Sequence, residues 1–90
     1  MVWKIKNYDS EIIEIWEAFN GDLYFIAEKY PDGQILCYAR LYSMADCQEW
    51  GWNDLNYLKK CYGQNRLWPV VKENWPNINS YEPGLLNEIE

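Results

Sequence analysis

Ninety residues with a formal net charge of −6 describe one small domain, hiding only about 60–65% of its unfolded surface on folding. Six Trp and eight Tyr exclude a disordered segment, where aromatics are scarce. With no apolar run near the roughly 20 residues of a bilayer span and no basic-then-apolar start of a secretion signal, the expectation is a soluble, cytoplasmic domain, neither a membrane protein nor a multidomain enzyme.

In chain order, Val2-Trp3-Lys4-Ile5-Lys6 alternates and suits a short edge strand. Residues 11–19 read as a strand, although Ile12, Ile15, Trp16 and Phe19 also fit a helical stripe with Ser10 as its cap. Asn20-Gly21-Asp22 carries the pair that a type I′ hairpin turn favours. Residues 23–30 and 34–43 are rich in β-branched and aromatic side chains. Between them Pro31-Asp32-Gly33 supplies a pre-set φ and a left-handed position. A three-residue loop pairing Tyr30 with Gln34 would put Leu23, Phe25 and Ala27 on one face with Ile35, Cys37, Ala39 and Leu41. The other face then sets Tyr24 against Arg40 and Ile26 against Tyr38.

The second half reads as helical. Asn53 or Asp54 can cap a helix carrying Leu55, Leu58 and Tyr62 on one side, with Lys59 and Lys60 near its end and Gly63 as its stop. Trp68, Val71 and Trp75 suit a second helix begun at Pro69 and stopped by Pro76. The architecture expected is α+β: a three- to four-stranded antiparallel meander followed by two or three short helices. Residues 1–76 would form that compact domain and 77–90 a tail, in which Leu85, Leu86 and Ile89 could dock as one more turn.

Chemistry-bearing residues are few. The chain has no His, the usual general base and metal ligand. Cys37, Cys47 and Cys61 lack zinc spacing, so three free thiols and no metal or cofactor are expected. No glycine-rich phosphate loop exists. A carboxylate pair for a small enzyme would have to come from Glu28 and Glu49.

Binding chemistry is better represented. Between Asp9 and Asp54, ten carboxylates face only Lys29 and Arg40. That balance disfavours direct nucleic-acid binding and steers the domain toward a basic protein surface. Alternate carboxylates on a strand lie roughly 6.5–7 Å apart, close to phosphate spacing, although Glu14 has the opposite parity to Glu11 and Glu17. Trp50 and Trp52 flank Gly51 and would share a face of an extended segment. They suit a stacking platform or a protein hot spot, or, as expected here, a roof joining sheet to helix. The residues expected at a partner surface are Glu14, Glu17, Asp22, Glu28, Asp32, Tyr24, Tyr38 and Arg40.

Residues 24–60 carry one further pattern. An aromatic strand ends in Ala27-Glu28, an Asp32-Gly33 turn leads to Leu36-Cys37-Tyr38-Ala39-Arg40-Leu41, and Glu49-Trp50-Gly51-Trp52 precedes a helix start at Asp54-Leu55. This resembles a family of small bacterial domains of unknown function carried by plasmids, conjugative elements and phages. The chain departs from it at Cys37, where the pattern tends to have Gly, and in a Trp- and Pro-rich extension after Lys60. The resemblance implies no catalytic residues. It implies a mobile-element setting, in which small acidic proteins often inhibit host enzymes. The function expected is therefore a non-catalytic inhibitor of a nucleic-acid-processing defence enzyme, of anti-CRISPR, anti-restriction or immunity type. The alternative is a ligand- or single-strand-binding module using an aromatic sheet face.

Overall fold

In the computed structural model, which describes residues 1–42, 48–78 and 82–90, both glycine turns close hairpins in the same way. The Gly21 N–H donates to the Ala18 carbonyl and the Ala18 N–H to that of Asp22, each at 2.9 Å. At the second turn Gly33 N–H donates to Tyr30 (3.0 Å) and Tyr30 N–H to Gln34 (2.9 Å). Gly21 and Gly33 take φ of +93° and +98°, and Asn20 does not take a positive φ. The first turn is therefore the three-residue form with glycine in the left-handed position, not the type I′ turn expected from Asn-Gly.

These hairpins link β2 (Glu14–Ala18), β3 (Leu23–Lys29) and β4 (Gln34–Arg40), and β5 (Gln48–Asp54) continues the meander. With β6 (Leu67–Pro69) they make a five-stranded antiparallel sheet in the order β5-β4-β3-β2-β6. The helix α1 (Leu55–Tyr62) follows β5 as expected. The Asp54 carboxylate caps it by accepting from the Asn56 and Tyr57 amides, and Gly63, with φ of +102°, ends it. The fold is α+β, with more strands than the sequence reading expects.

The strand faces need a correction. Next to the turn, Lys29 pairs with Ile35 and Glu28 with Leu36, the register that Tyr30–Gln34 sets. A bulge at Ala27 then shifts the pairing, so that Ile26 faces Cys37, Phe25 faces Tyr38, Tyr24 faces Ala39 and Leu23 faces Arg40. The expected Tyr24–Arg40 and Ile26–Tyr38 pairs do not form, because one extra residue turns the following side chains to the other face. Both faces of the sheet are in fact buried. On the first, Ile15, Leu23, Phe25 and Tyr38 pack with Ile5, Ile12, Trp75, Ile78, Leu85 and Leu86. On the second, Trp16, Tyr24, Ile26, Ile35 and Cys37 pack with Leu55 of α1.

The chain ends supply the first cover. β1 (Val2–Ile5) pairs with β7 (Leu86–Ile89) as a separate two-stranded sheet, so Leu86 docks on a strand and not on a helical turn. The expected helix from Pro69 is also corrected. Ala18 pairs with Leu67, Glu17 with Trp68 and Trp16 with Pro69, and proline is tolerated because β6 is an edge. After a 3-10 turn at Lys72–Asn74, α2 (Trp75–Ile78) carries Pro76 in its first turn, where the missing N–H costs nothing. Trp75 is buried and Trp68 is exposed, so they share no helical face.

Candidate binding surface

The acidic residues of the first half do not form one ridge. Asp22 is buried (6% exposed). Its carboxylate accepts from the Tyr42 amide (2.8 Å), the Asn20 side chain (3.0 Å) and the Tyr62 hydroxyl (2.5 Å). Tyr62 and Tyr24 hydroxyls in turn lie 2.7 Å apart. Burial pushes both phenols above their ordinary value, as expected where the neutral form is the one that fits. This network ties the first hairpin to the end of α1 and is structural.

The other expected residues divide similarly. Tyr24 and Tyr38 are enclosed, on opposite faces of the sheet. Arg40 pairs with Glu82 (3.0 Å). Glu14 meets Lys29 at 3.0 Å and accepts from the Trp16 indole at 2.7 Å. Glu17, on the other side of β2, accepts from the Trp68 indole at 3.2 Å. Glu28 and Asp32 stand in solvent. Asp32 holds the second turn by accepting from the Gln34 amide (3.0 Å).

Around Glu28 the first face of the main sheet is bare. In the register Glu28 lies beside Leu36, and Leu36 beside Trp52. The Trp52 ring lies 5.9 Å from that of Tyr30, tilted by 35°, and the Tyr30 hydroxyl donates to the Glu28 carboxylate. That hydrogen bond holds the Tyr30 phenol above its ordinary value. Trp52 is 56% exposed and Tyr30 45%. Trp50, two residues back on the same face, is half-buried against Tyr8 and Tyr38, each at 5.6 Å between ring centroids. The tryptophan pair therefore splits: Trp50 roofs the core as expected, and Trp52 faces solvent. Tyr30 is the partner that the sequence reading missed. Its signal was its place two residues from Glu28 beside the turn.

Elsewhere, Glu17, Trp68, Pro69, Val70, Val71, Asn74, Asn77 and Ile78 line a cleft of about 520 Å³, within the usual range for ligand pockets. Glu28 and Glu49 do not meet, because Glu28 pairs toward the first face and Glu49, opposite Ala39, toward the second. Among the described residues no cluster of three or more His, Cys, Asp or Glu could hold a metal. Cys37 is buried and Cys61 exposed, both as free thiols, and Cys47 lies outside the described residues. Burial pushes the Cys37 thiol up, away from the reactive thiolate. No helix among the described residues is long and apolar enough to cross a membrane. Comparison with protein-family models, curated proteins and solved structures finds no match.

Proposed function

We propose that this chain is a non-catalytic binding protein that engages a basic surface of a partner protein through Tyr30, Leu36 and Trp52, with Glu28 and Asp32 beside them. The observation that carries this reading is the Trp52–Tyr30 ring contact, 56% and 45% exposed, with a carboxylate fixed next to it. Large rigid aromatics are the usual anchors of protein interfaces, and nearby charges set the choice of partner. A net charge of −6 favours a partner whose own surface is basic. Nucleic-acid-processing enzymes have such surfaces, and an acidic protein seated there would act as an inhibitor. The test places a photo-cross-linking residue at Gln34, exposed beside Tyr30 at the rim of the patch, and identifies the captured protein by mass spectrometry. Its affinity is then measured against Trp52→Ala. The reading expects a basic surface on the partner and a loss of roughly 30-fold, the size of a hot-spot anchor. Equal affinity for the wild type, Tyr30→Ala and Trp52→Ala would contradict it.

A second reading, small-ligand binding, is favoured by the cleft beside Trp68, which combines apolar walls with Glu17, Asn74 and Asn77. It places the ligand away from the aromatic sheet face.

A further inference from the structure

The main sheet has two edges, and they differ. The β6 edge is three residues long and ends in Pro69, so it offers little to another strand. The β5 edge runs for seven residues, its two charges, Glu49 and Asp54, lying toward its ends, and holds no Pro, no Lys or Arg and no bulge. These are the devices that usually keep edges from pairing. The direction of its backbone groups follows from one bond. Leu55 N–H donates to the Gly33 carbonyl at 2.8 Å. Because antiparallel residues alternate, Glu49, Gly51 and Asn53 turn their amides to β4, and Gln48, Trp50 and Trp52 turn theirs outward. No described strand meets them.

The sequence of that edge is self-complementary. Gln48-Glu49-Trp50-Gly51-Trp52-Asn53-Asp54, run antiparallel against itself about Gly51, sets Trp50 opposite Trp52, Glu49 opposite Asn53 and Gln48 opposite Asp54. Each acid meets an amide, and no like charges face each other. The Tyr38 hydroxyl donates to Gln48 Oε1 at 3.2 Å, which leaves the Gln48 amide N–H groups to face a carboxylate. At the centre, Gly51 opposes Gly51 in the closer, non-hydrogen-bonded kind of pair. A Cβ built on Gly51 meets nothing within 4 Å.

We propose that β5 pairs with β5 of a second copy of this chain about a two-fold axis at Gly51, joining the two main sheets into one. Backbone hydrogen bonds between Trp50 and the partner's Trp52, repeated by the two-fold, hold the pair, as in other strand additions. The inference does not rest on the binding reading: pairing the edge brings Trp52 beside the second copy's Trp50 but leaves the face that carries Tyr30 open. The dimer doubles that face.

Charge gives the dimer a signature. Two copies at −6 repel at long range, so added salt strengthens this contact, whereas it weakens binding to a basic partner. The test is sedimentation and light scattering on the full chain up to about 1 mM, at low and high salt. The expected result is a mass twice the 10.9 kDa of the chain, with more dimer at high salt. Gly51→Lys places like charges on the axis in open space and should leave a folded monomer by circular dichroism. Independently, Gly51→Cys in a Cys37→Ala, Cys47→Ser, Cys61→Ser background, which removes the thiol that β4 sets opposite position 51, should oxidise to a covalent dimer, because the paired Cα atoms fall within disulfide reach. A wild-type chain that stays monomeric, a folded Gly51→Lys that dimerises as well as the wild type, or a Gly51→Cys chain that does not cross-link would each overturn the proposal.

Discussion

Asp22 is the residue on which the first hairpin and α1 both depend. A buried carboxylate is tolerable only where its lone pairs are filled, and here the Tyr62 hydroxyl, the Asn20 amide and the Tyr42 backbone fill them. Tyr62→Phe removes one of these donors and leaves the charge in place. It should cost about 1.5–3 kcal/mol, the range for hydrogen bonds to charged groups, read as a lower urea midpoint with unchanged slope. The buried tyrosines set a pH limit. Burial raises Tyr24, Tyr38 and Tyr62 above their ordinary 10.0. The folded chain therefore keeps protons that the unfolded chain releases near pH 10. Their contribution is complete below that pH and is lost as pH rises above it, so urea midpoints should be level through neutrality and fall in alkali. A midpoint unchanged well above pH 10 would contradict this. Asp22 reads locally as a turn residue and hence as a surface acid. Its burial was not legible, because Tyr62 lies forty positions along the chain and only the fold brings it near.

Among the elements, the second hairpin turn and α1 act as one unit. The Gly33 carbonyl accepts from the Leu55 amide, and a Cβ on Gly33 would come within 2.7 Å of Asn56 Nδ2 and 3.0 Å of the capping Asp54 Oδ1. With φ at +98°, Gly33→Ala should destabilise by about 1–2 kcal/mol from the backbone alone, and more from the clash. Asp54→Ala should lose about 0.5–2 kcal/mol of capping. Because both changes act on the same cap, the double variant should lose less than the two single losses combined. Thermal melts of the three variants check this. These turns and caps were legible because each is written in a few adjacent residues. The bulge at Ala27 and the strand Leu67–Pro69 were not. A bulge leaves no mark in composition, and Leu67–Pro69 becomes a strand only because β2 offers it an edge. The same bulge explains why the strand alternation set Leu23 and Phe25 on the face of Ile35 and Cys37, whereas the burial of both faces comes from cover supplied by distant parts of the chain.

At the scale of the whole molecule, β1, β7 and α2 cover one face of the main sheet and α1 packs on the other, leaving the Tyr30–Trp52 end in solvent. That the tryptophans of β5 share a face was legible from their spacing. Which of them stays exposed was not, since Tyr8 reaches Trp50 from a distant loop. Acidic charge and aromatic contact make separable contributions to the proposed interface, because charge acts on approach and anchors act on retention. The most direct measurement is of association and dissociation rates with the protein captured at position 34, across a series of salt concentrations. Trp52→Ala should speed dissociation by about 30-fold with little change in association. Glu28→Lys with Asp32→Lys should slow association and flatten its dependence on salt. Rates for both variants that match the wild type at every salt concentration would contradict the account.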